Sequence, residues 1–198
     1  MDALEAVDRQ SLRVVSDELG LAPLFDPLPP VALLAAWAGD DPPYELLDDL
    51  VDRRTSVVAE DGPGMARLWG YRDRVTEAIA RRGVPHKLDV TLPARRLAEF
   101  TARLEEVGGT RFVFGHLGDG NLHVNLLGFA NDDESIDDRV LGLVAAHDGS
   151  ISAEHGIGRA KQRWLPLARD EVERETFRRI KVAFDPAGIM NPGVLVDL

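Results

Sequence analysis

The sequence contains no cysteine. That excludes disulfides, thiolate zinc sites, cysteine nucleophiles and thiolate-held iron–sulfur clusters. Histidine and carboxylates are left as the side chains able to hold a metal. Basic residues are also in deficit, with 23 Lys and Arg against 34 Asp and Glu and a formal net charge of −11. Nucleic-acid binding needs a basic footprint, and so does an anionic membrane surface, so both partners are disfavoured. Long apolar runs are missing. The longest, Val31 to Ala38, is far short of the roughly 20 residues of a spanning helix. The acidic start, Met1-Asp2-Ala3-Leu4-Glu5, lacks the basic residues of a signal peptide. The chain therefore reads as cytoplasmic, or as a cytoplasmic-side part of something larger.

What is present is ordinary for a globular protein: 198 residues, 44% hydrophobic and 29% charged. This is enough for one domain with a core that needs no staple. Leu4, Val7, Leu12, Val15 and Leu19 fall at helical spacing, which predicts a helix over 4–19. Four prolines in residues 20–30 predict an extended connector. Val31–Trp37 is expected as a buried strand, Tyr44–Val51 as a helix and Arg54–Ala59 as a strand. A helix over 65–82 ends at Gly83 and Pro85, and Lys87–Leu92 alternates as a half-buried strand. A helix from Pro93 to Val107 closes on Gly108-Gly109. Arg111–Gly115 and Leu122–Phe129 form a hairpin, Asp133–His147 a helix and Ser150–Ser152 a short strand. Helices over 158–165 and 170–184 precede a turn-rich tail. Mixed strands and helices with a tight hairpin indicate an α+β layer, a largely antiparallel sheet with helices on one face.

Five histidines occur, His86, His116, His123, His147 and His155. If Asp119-Gly120 is a two-residue hairpin loop, His116 lies opposite His123, with Cβ atoms about 4.5–5.5 Å apart. Two imidazoles on one face suit a divalent metal. Phe114 and Asn125 share that face, and Val113, Leu117, Leu122, Val124 and Leu126 take the other, facing the core. In Ser152-Ala153-Glu154-His155-Gly156-Ile157-Gly158, Glu154 offers a third ligand and His155 a general base. Neighbours on an extended segment point opposite ways, so the two are expected to divide those roles. On pattern alone, paired hairpin histidines are more often a surface pair than a metal site. Gly156–Lys161 could cradle a phosphate before a helix, but it matches neither the Walker pattern nor the dinucleotide-binding fingerprint. His86 and His147 have no supporting neighbours and read as structural.

Arg72 and Thr76 are four apart on a predicted helix, and Lys87 opens the polar face of the next strand. A guanidinium, a hydroxyl and an ammonium that converge would suit a carboxylate substrate. A solvated helix face is the commoner reading of the same pattern.

Three motifs carry a resemblance: Gly115-His116-Leu117-Gly118-Asp119-Gly120-Asn121-Leu122-His123, Ala153-Glu154-His155-Gly156-Ile157-Gly158 with Lys161, and Phe184-Asp185-Pro186-Ala187-Gly188-Ile189-Met190-Asn191-Pro192-Gly193. In this order they resemble the C-terminal, ferredoxin-like cap domain of FAD-linked oxidases of the vanillyl-alcohol-oxidase superfamily. That group includes D-lactate, glycolate and D-2-hydroxyglutarate dehydrogenases. The resemblance covers essentially all of residues 1–198 and implies that a separate N-terminal domain binds most of the FAD. It implies that His116, His123 and Glu154 hold zinc or manganese and that His155 is the base. Arg72, Thr76, Lys87 and Asn125 would hold the substrate, and Asn121 and Asn191 would approach the cofactor. The implied reaction oxidises a D-2-hydroxy acid to a 2-oxo acid, and the implied partners are that acid and a flavin-binding domain or subunit, with a homodimer as an option. Two other readings are a non-catalytic cap-fold module that docks on a flavoprotein subunit, and a flavin-independent metal hydrolase.

Overall fold

The computed structural model describes residues 1–39, 45, 47 and 52–196. The first residues alternate rather than coil. In β1 (Ala3–Asp8), Glu5 and Val7 are buried and their neighbours are half-exposed. Asp8 then caps α1 (Arg9–Leu19), its carboxylate accepting from Ser11 N at 2.7 Å. The helix expected over 4–19 is therefore a strand followed by a helix. Leu4 and Val7 are spaced like helix positions by coincidence, and the Asp8 cap marks the true start.

The connector reaches β2 (Val31–Ala36), which is an edge strand rather than a buried one, with Val31 and Leu33 exposed. The helix expected over Tyr44–Val51 lies outside the described residues, except for Glu45 and Leu47. Arg54–Ala59 is not a strand. A single 3-10 turn, Arg53–Thr55, is capped by Asp52 and followed by irregular chain. Asp61 caps α2 (Gly62–Asp73), and α3 (Val75–Arg82) follows after a break at Arg74. The single helix expected there is thus two.

Strand β3 (His86–Thr91) leads through a 3-10 turn into α4 (Leu97–Leu104). The hairpin strands are β4 (Thr110–His116) and β5 (Asn121–Leu127). Helix α5 (Glu134–Ala146) follows, and Ser150 then makes one isolated bridge to Thr91. The helix expected over 158–165 is a turn, a 3-10 segment at Gln162–Trp164 and the short α6 (Leu165–Ala168). Helix α7 (Glu171–Phe184) carries a capping box of Asp170 and Glu173.

The five strands form one antiparallel sheet in the order β2-β1-β4-β5-β3. The α+β class and the antiparallel sheet are as expected. The helices, expected on one face, form two groups. Leu88, Val90, Val113, Leu122, Val124 and Leu126 pack against α4 and α5 on one face. On the other, Val7, Phe112 and Phe114 pack against α1, α2 and α3. A wholly buried ring such as Phe112 is worth about 3–5 kcal/mol against alanine. Among the described residues, no helix is long and apolar enough to cross a membrane.

The hairpin register differs from the expected one. His116 pairs with Asn121, Gly115 with Leu122 and Phe114 with His123, so the turn is Leu117–Gly120 and not a two-residue loop. Leu117 N donates to Leu4 O of β1 at 2.8 Å, which ties this residue to the neighbouring strand. Asp119 Oδ1 accepts from Asn121 N at 3.0 Å. The shift is by two, an even number, so the strand side chains keep their expected faces, whereas Leu117, expected on the core face, lies in the turn and is half-buried.

Candidate active site

Because side chains alternate across a strand, the pairing writes three rows on the face that carries Phe112 and Phe114. The first row is Glu5, His116, Asn121 and Thr91; the second is Val7, Phe114, His123 and Asp89; the third is Phe112, Asn125 and Lys87. His116 and His123 are diagonal neighbours, their rings 5.6 Å apart and edge-to-face. The two-residue register error therefore costs the pair nothing.

Each imidazole has a carboxylate behind it. Glu5, buried in β1, has Oε1 2.7 Å from His116 Nδ1, and its Oε2 accepts from Arg72 Nε at 2.6 Å. Burial pushes the Glu5 carboxyl up, but the hydrogen bonds from His116 and Arg72 outweigh it and hold the group below its ordinary value. His123 Nδ1 lies 3.0 Å from Asp89 Oδ1. The alignment there is too poor for a hydrogen bond, and neither buried oxygen of Asp89 has a hydrogen-bonded partner among the described residues. Burial holds the His123 pKa below its ordinary value and the neighbouring Arg72 guanidinium adds to this, against the opposing Asp89 and Glu154 carboxylates. Neutral imidazole is the form that binds a metal.

The loop after α5 brings up the remaining groups. Ala153 N donates to the Asp89 carbonyl at 3.3 Å. Lys161 Nζ donates to the same carbonyl at 3.0 Å and to Ile151 O at 2.6 Å. Burial lowers the Lys161 pKa, although Asp89 opposes it. The lysine thus clips the Glu154-His155 loop onto β3. His155 Nε2 lies 3.6 Å from Asp89 Oδ2 and 3.9 Å from Glu154 Oε1. The expectation that Glu154 and His155 point apart is corrected, because the chain bends here instead of running extended. Among the described residues, Asp89, Glu154 and His155 are the group whose ligand atoms all approach within 4.8 Å. His116 and His123 stand beside that group rather than inside it. Asn121 Nδ2 donates to Glu154 Oε1 at 3.4 Å, and its own Oδ1 is buried without a partner among the described residues.

Orphaned buried oxygens on Asp89 and Asn121, beside three imidazoles and Glu154, are what a divalent cation would satisfy. The donor set of nitrogen and oxygen atoms suits zinc or manganese.

The substrate-side residues are less gathered. Arg72, at the end of α2, has its guanidinium 5.1 Å from the Phe114 ring centre. Thr76 lies beyond the Arg74 break on α3 and is exposed, so the shared helix face expected for the two is lost. Lys87 is exposed on β3, which pairs with the far side of β5, and Asn125 beside it is buried. With strands about 4.8 Å apart, Lys87 approaches the same face from the side opposite Arg72. Asn191 sits in the tail with φ 47° and lines a cavity of about 280 Å³ with Phe177, Ile180, Phe184 and Met190. In the same motif, Asp185 accepts from Ile189 N, Met190 N and Lys181 Nζ, which fixes the turn. Glu5 and Asp89 escaped the sequence reading. The helical spacing of Leu4, Val7, Leu12, Val15 and Leu19 hides Glu5, which shows as a site residue only once β1 is a strand. Asp89 was readable, since it alternates with Lys87 and Thr91 on the histidine face.

A family model described as "FAD linked oxidases, C-terminal domain" matches residues 1–195. The mitochondrial D-2-hydroxyglutarate dehydrogenase of Bos taurus is 31% identical over 209 residues, covering 97% of this chain and 38% of the relative. The D-2-hydroxyglutarate dehydrogenase of Xanthomonas citri pv. viticola is 36% identical over 155 residues, covering 71% of this chain and 33% of the relative. A putative mitochondrial D-lactate dehydrogenase of Schizosaccharomyces pombe is 29% identical over 220 residues, covering 97% of this chain and 42% of the relative. The chain spans about a third to two fifths of the length of these relatives.

Proposed function

The chain belongs to the family of C-terminal domains of FAD-linked oxidases, and on that premise we propose that it is the substrate- and metal-binding part of a dehydrogenase that oxidises a D-2-hydroxy acid to a 2-oxo acid. The observation that carries this reading is the polar end of one sheet face. There His116, His123, Glu154 and His155 meet the carboxylates of Glu5 and Asp89, and that of Asp89 has no hydrogen-bonded partner among the described residues.

In this proposal His116, His123 and Glu154 hold a divalent metal, with Asp89 behind His123. A bound metal supplies Lewis acidity at the substrate hydroxyl, and FAD supplies a hydride acceptor. His155 takes the hydroxyl proton on Nε2, the ring nitrogen that lies 3.6 Å from Asp89 Oδ2 and 3.9 Å from Glu154 Oε1. Arg72 keeps its terminal nitrogens for a substrate carboxylate, because only its Nε is hydrogen-bonded among the described residues. Lys87 meets a second carboxylate from the opposite side, which favours a dicarboxylate such as D-2-hydroxyglutarate, the substrate in the names of several relatives. Asn125 lines the space between them. FAD is held mainly by a flavin-binding domain or subunit, which Asn121 and Asn191 approach. Helix α7 has no buried residue, and Ile180, Phe184, Ile189 and Met190 are exposed around it, which supports its use as the docking surface.

Equilibrium dialysis with Zn2+ and Mn2+ tests the metal claim. The reading expects one equivalent on the wild-type chain and none on the His116→Ala/His123→Ala double variant. Equal metal on both chains would refute it.

A further inference from the structure

The buried carboxylate of Glu5 touches both a proposed metal ligand and a proposed substrate anchor. It lies opposite His116 in the β1–β4 register and is 111 residues from it in sequence. Its two oxygens are used separately, Oε1 at His116 Nδ1 and Oε2 at Arg72 Nε. The Leu117–Leu4 backbone bond closes the neighbouring turn onto β1 and holds the two strands in place. Burying an ion pair returns little stability in general, because desolvation consumes most of the Coulombic gain. A positioning role explains the pair better than a stabilising one.

We propose that Glu5 is a positioning residue that fixes His116 in the tautomer whose Nε2 lone pair is bare and, with its other oxygen, fixes the guanidinium of Arg72. A carboxylate only accepts hydrogen bonds, so the imidazole atom facing it must carry the hydrogen. That hydrogen sits on Nδ1 and leaves Nε2 as a ligand atom. The Arg72 guanidinium is held through Nε and rests over Phe114, so its terminal nitrogens project from a fixed plane. One buried group thereby sets the cation-binding and the anion-binding sides of the site together. This inference rests on the metal reading above and adds Glu5 to it.

The test uses the full chain, labelled with nitrogen-15 at histidine, and long-range proton–nitrogen correlation spectra recorded without metal. Wild type should show His116 protonated at Nδ1 and bare at Nε2, and Glu5→Ala should move the proton to Nε2. By chelator competition, Zn2+ affinity should fall about 10–100-fold in Glu5→Ala. Glu5→Gln is nearly isosteric and carries the test if the alanine variant does not fold. Glutamine has one acceptor oxygen for two donors, so mixed tautomers and an intermediate loss of affinity are expected. A wild-type His116 protonated at Nε2 would overturn the proposal. So would a folded Glu5→Gln chain with a pure Nδ1–H tautomer and unchanged Zn2+ affinity. If wild type binds neither Zn2+ nor Mn2+, the metal reading fails, and the tautomer spectra still decide the role of Glu5.

Discussion

His86 has Asp137 Oδ2 3.0 Å from one ring nitrogen and the Ala130 carbonyl 2.9 Å from the other. Both partners accept, so both nitrogens must donate, which only the imidazolium can do. Burial pushes the His86 pKa down, but the Ala130 carbonyl and the Asp137 carboxylate together outweigh it, with a smaller push from Asp133, and the net shift is upward. A raised folded pKa means that this contribution to stability is complete below the unfolded value of about 6.5. It is lost as pH rises through the folded value. His86→Gln should cost about 1–3 kcal/mol near pH 5.5, the usual penalty for a broken buried hydrogen bond, and distinctly less at pH 9. Urea melts of both chains at the two pH values check this; a cost that grows with pH would reject the assignment. A sequence shows the histidine but not the two acceptors, which lie 51 and 44 residues away.

At the scale of elements, most of the site was legible because sheet faces survive errors that turns do not. The alternation of Lys87, Asp89 and Thr91 and of Phe114 and His116 set the functional face, and the even register shift left it intact. What sequence pattern could not supply was the partner strand. Glu5 becomes visible only once β1 pairs with β4, and the Glu154-His155 bend only once Lys161 clips it to β3. The turn itself depends on Gly120. Its φ is +74°, and a Cβ there would lie 2.0 Å from the Leu92 carbonyl oxygen, while its own carbonyl accepts from Leu92 N at 3.0 Å. Gly120→Ala should therefore cost about 2 kcal/mol or more, from the left-handed backbone penalty and the displaced Leu92 contact. Thermal melts measure that loss. Amide exchange should quicken first at Leu92 and in the Leu117–Gly120 turn, and a melt within error of wild type would show that the turn tolerates a side chain.

For the whole molecule, one apolar cluster lies on each face of the sheet, and the polar rows share a face with the smaller one. The residues of the candidate site come from β1, β3, β4, β5, α2 and the loop after α5. A cation bound there would join segments from residue 5 to residue 155, so its binding energy should appear in global unfolding and not only as local ordering. At a free concentration about a hundred times Kd, a ligand specific for the folded state adds about 2.7 kcal/mol. For a chain of this size that amounts to about 5–11 °C in Tm, at roughly 2–4 °C per kcal/mol. Zn2+ or Mn2+ should raise the Tm of the wild-type chain by this much, a chelator should reverse it, and His116→Ala/His123→Ala should remove the response. An equal rise in the double variant would place the cation elsewhere. No rise in wild type at saturating metal would mean that the orphaned Asp89 carboxylate is not waiting for a cation.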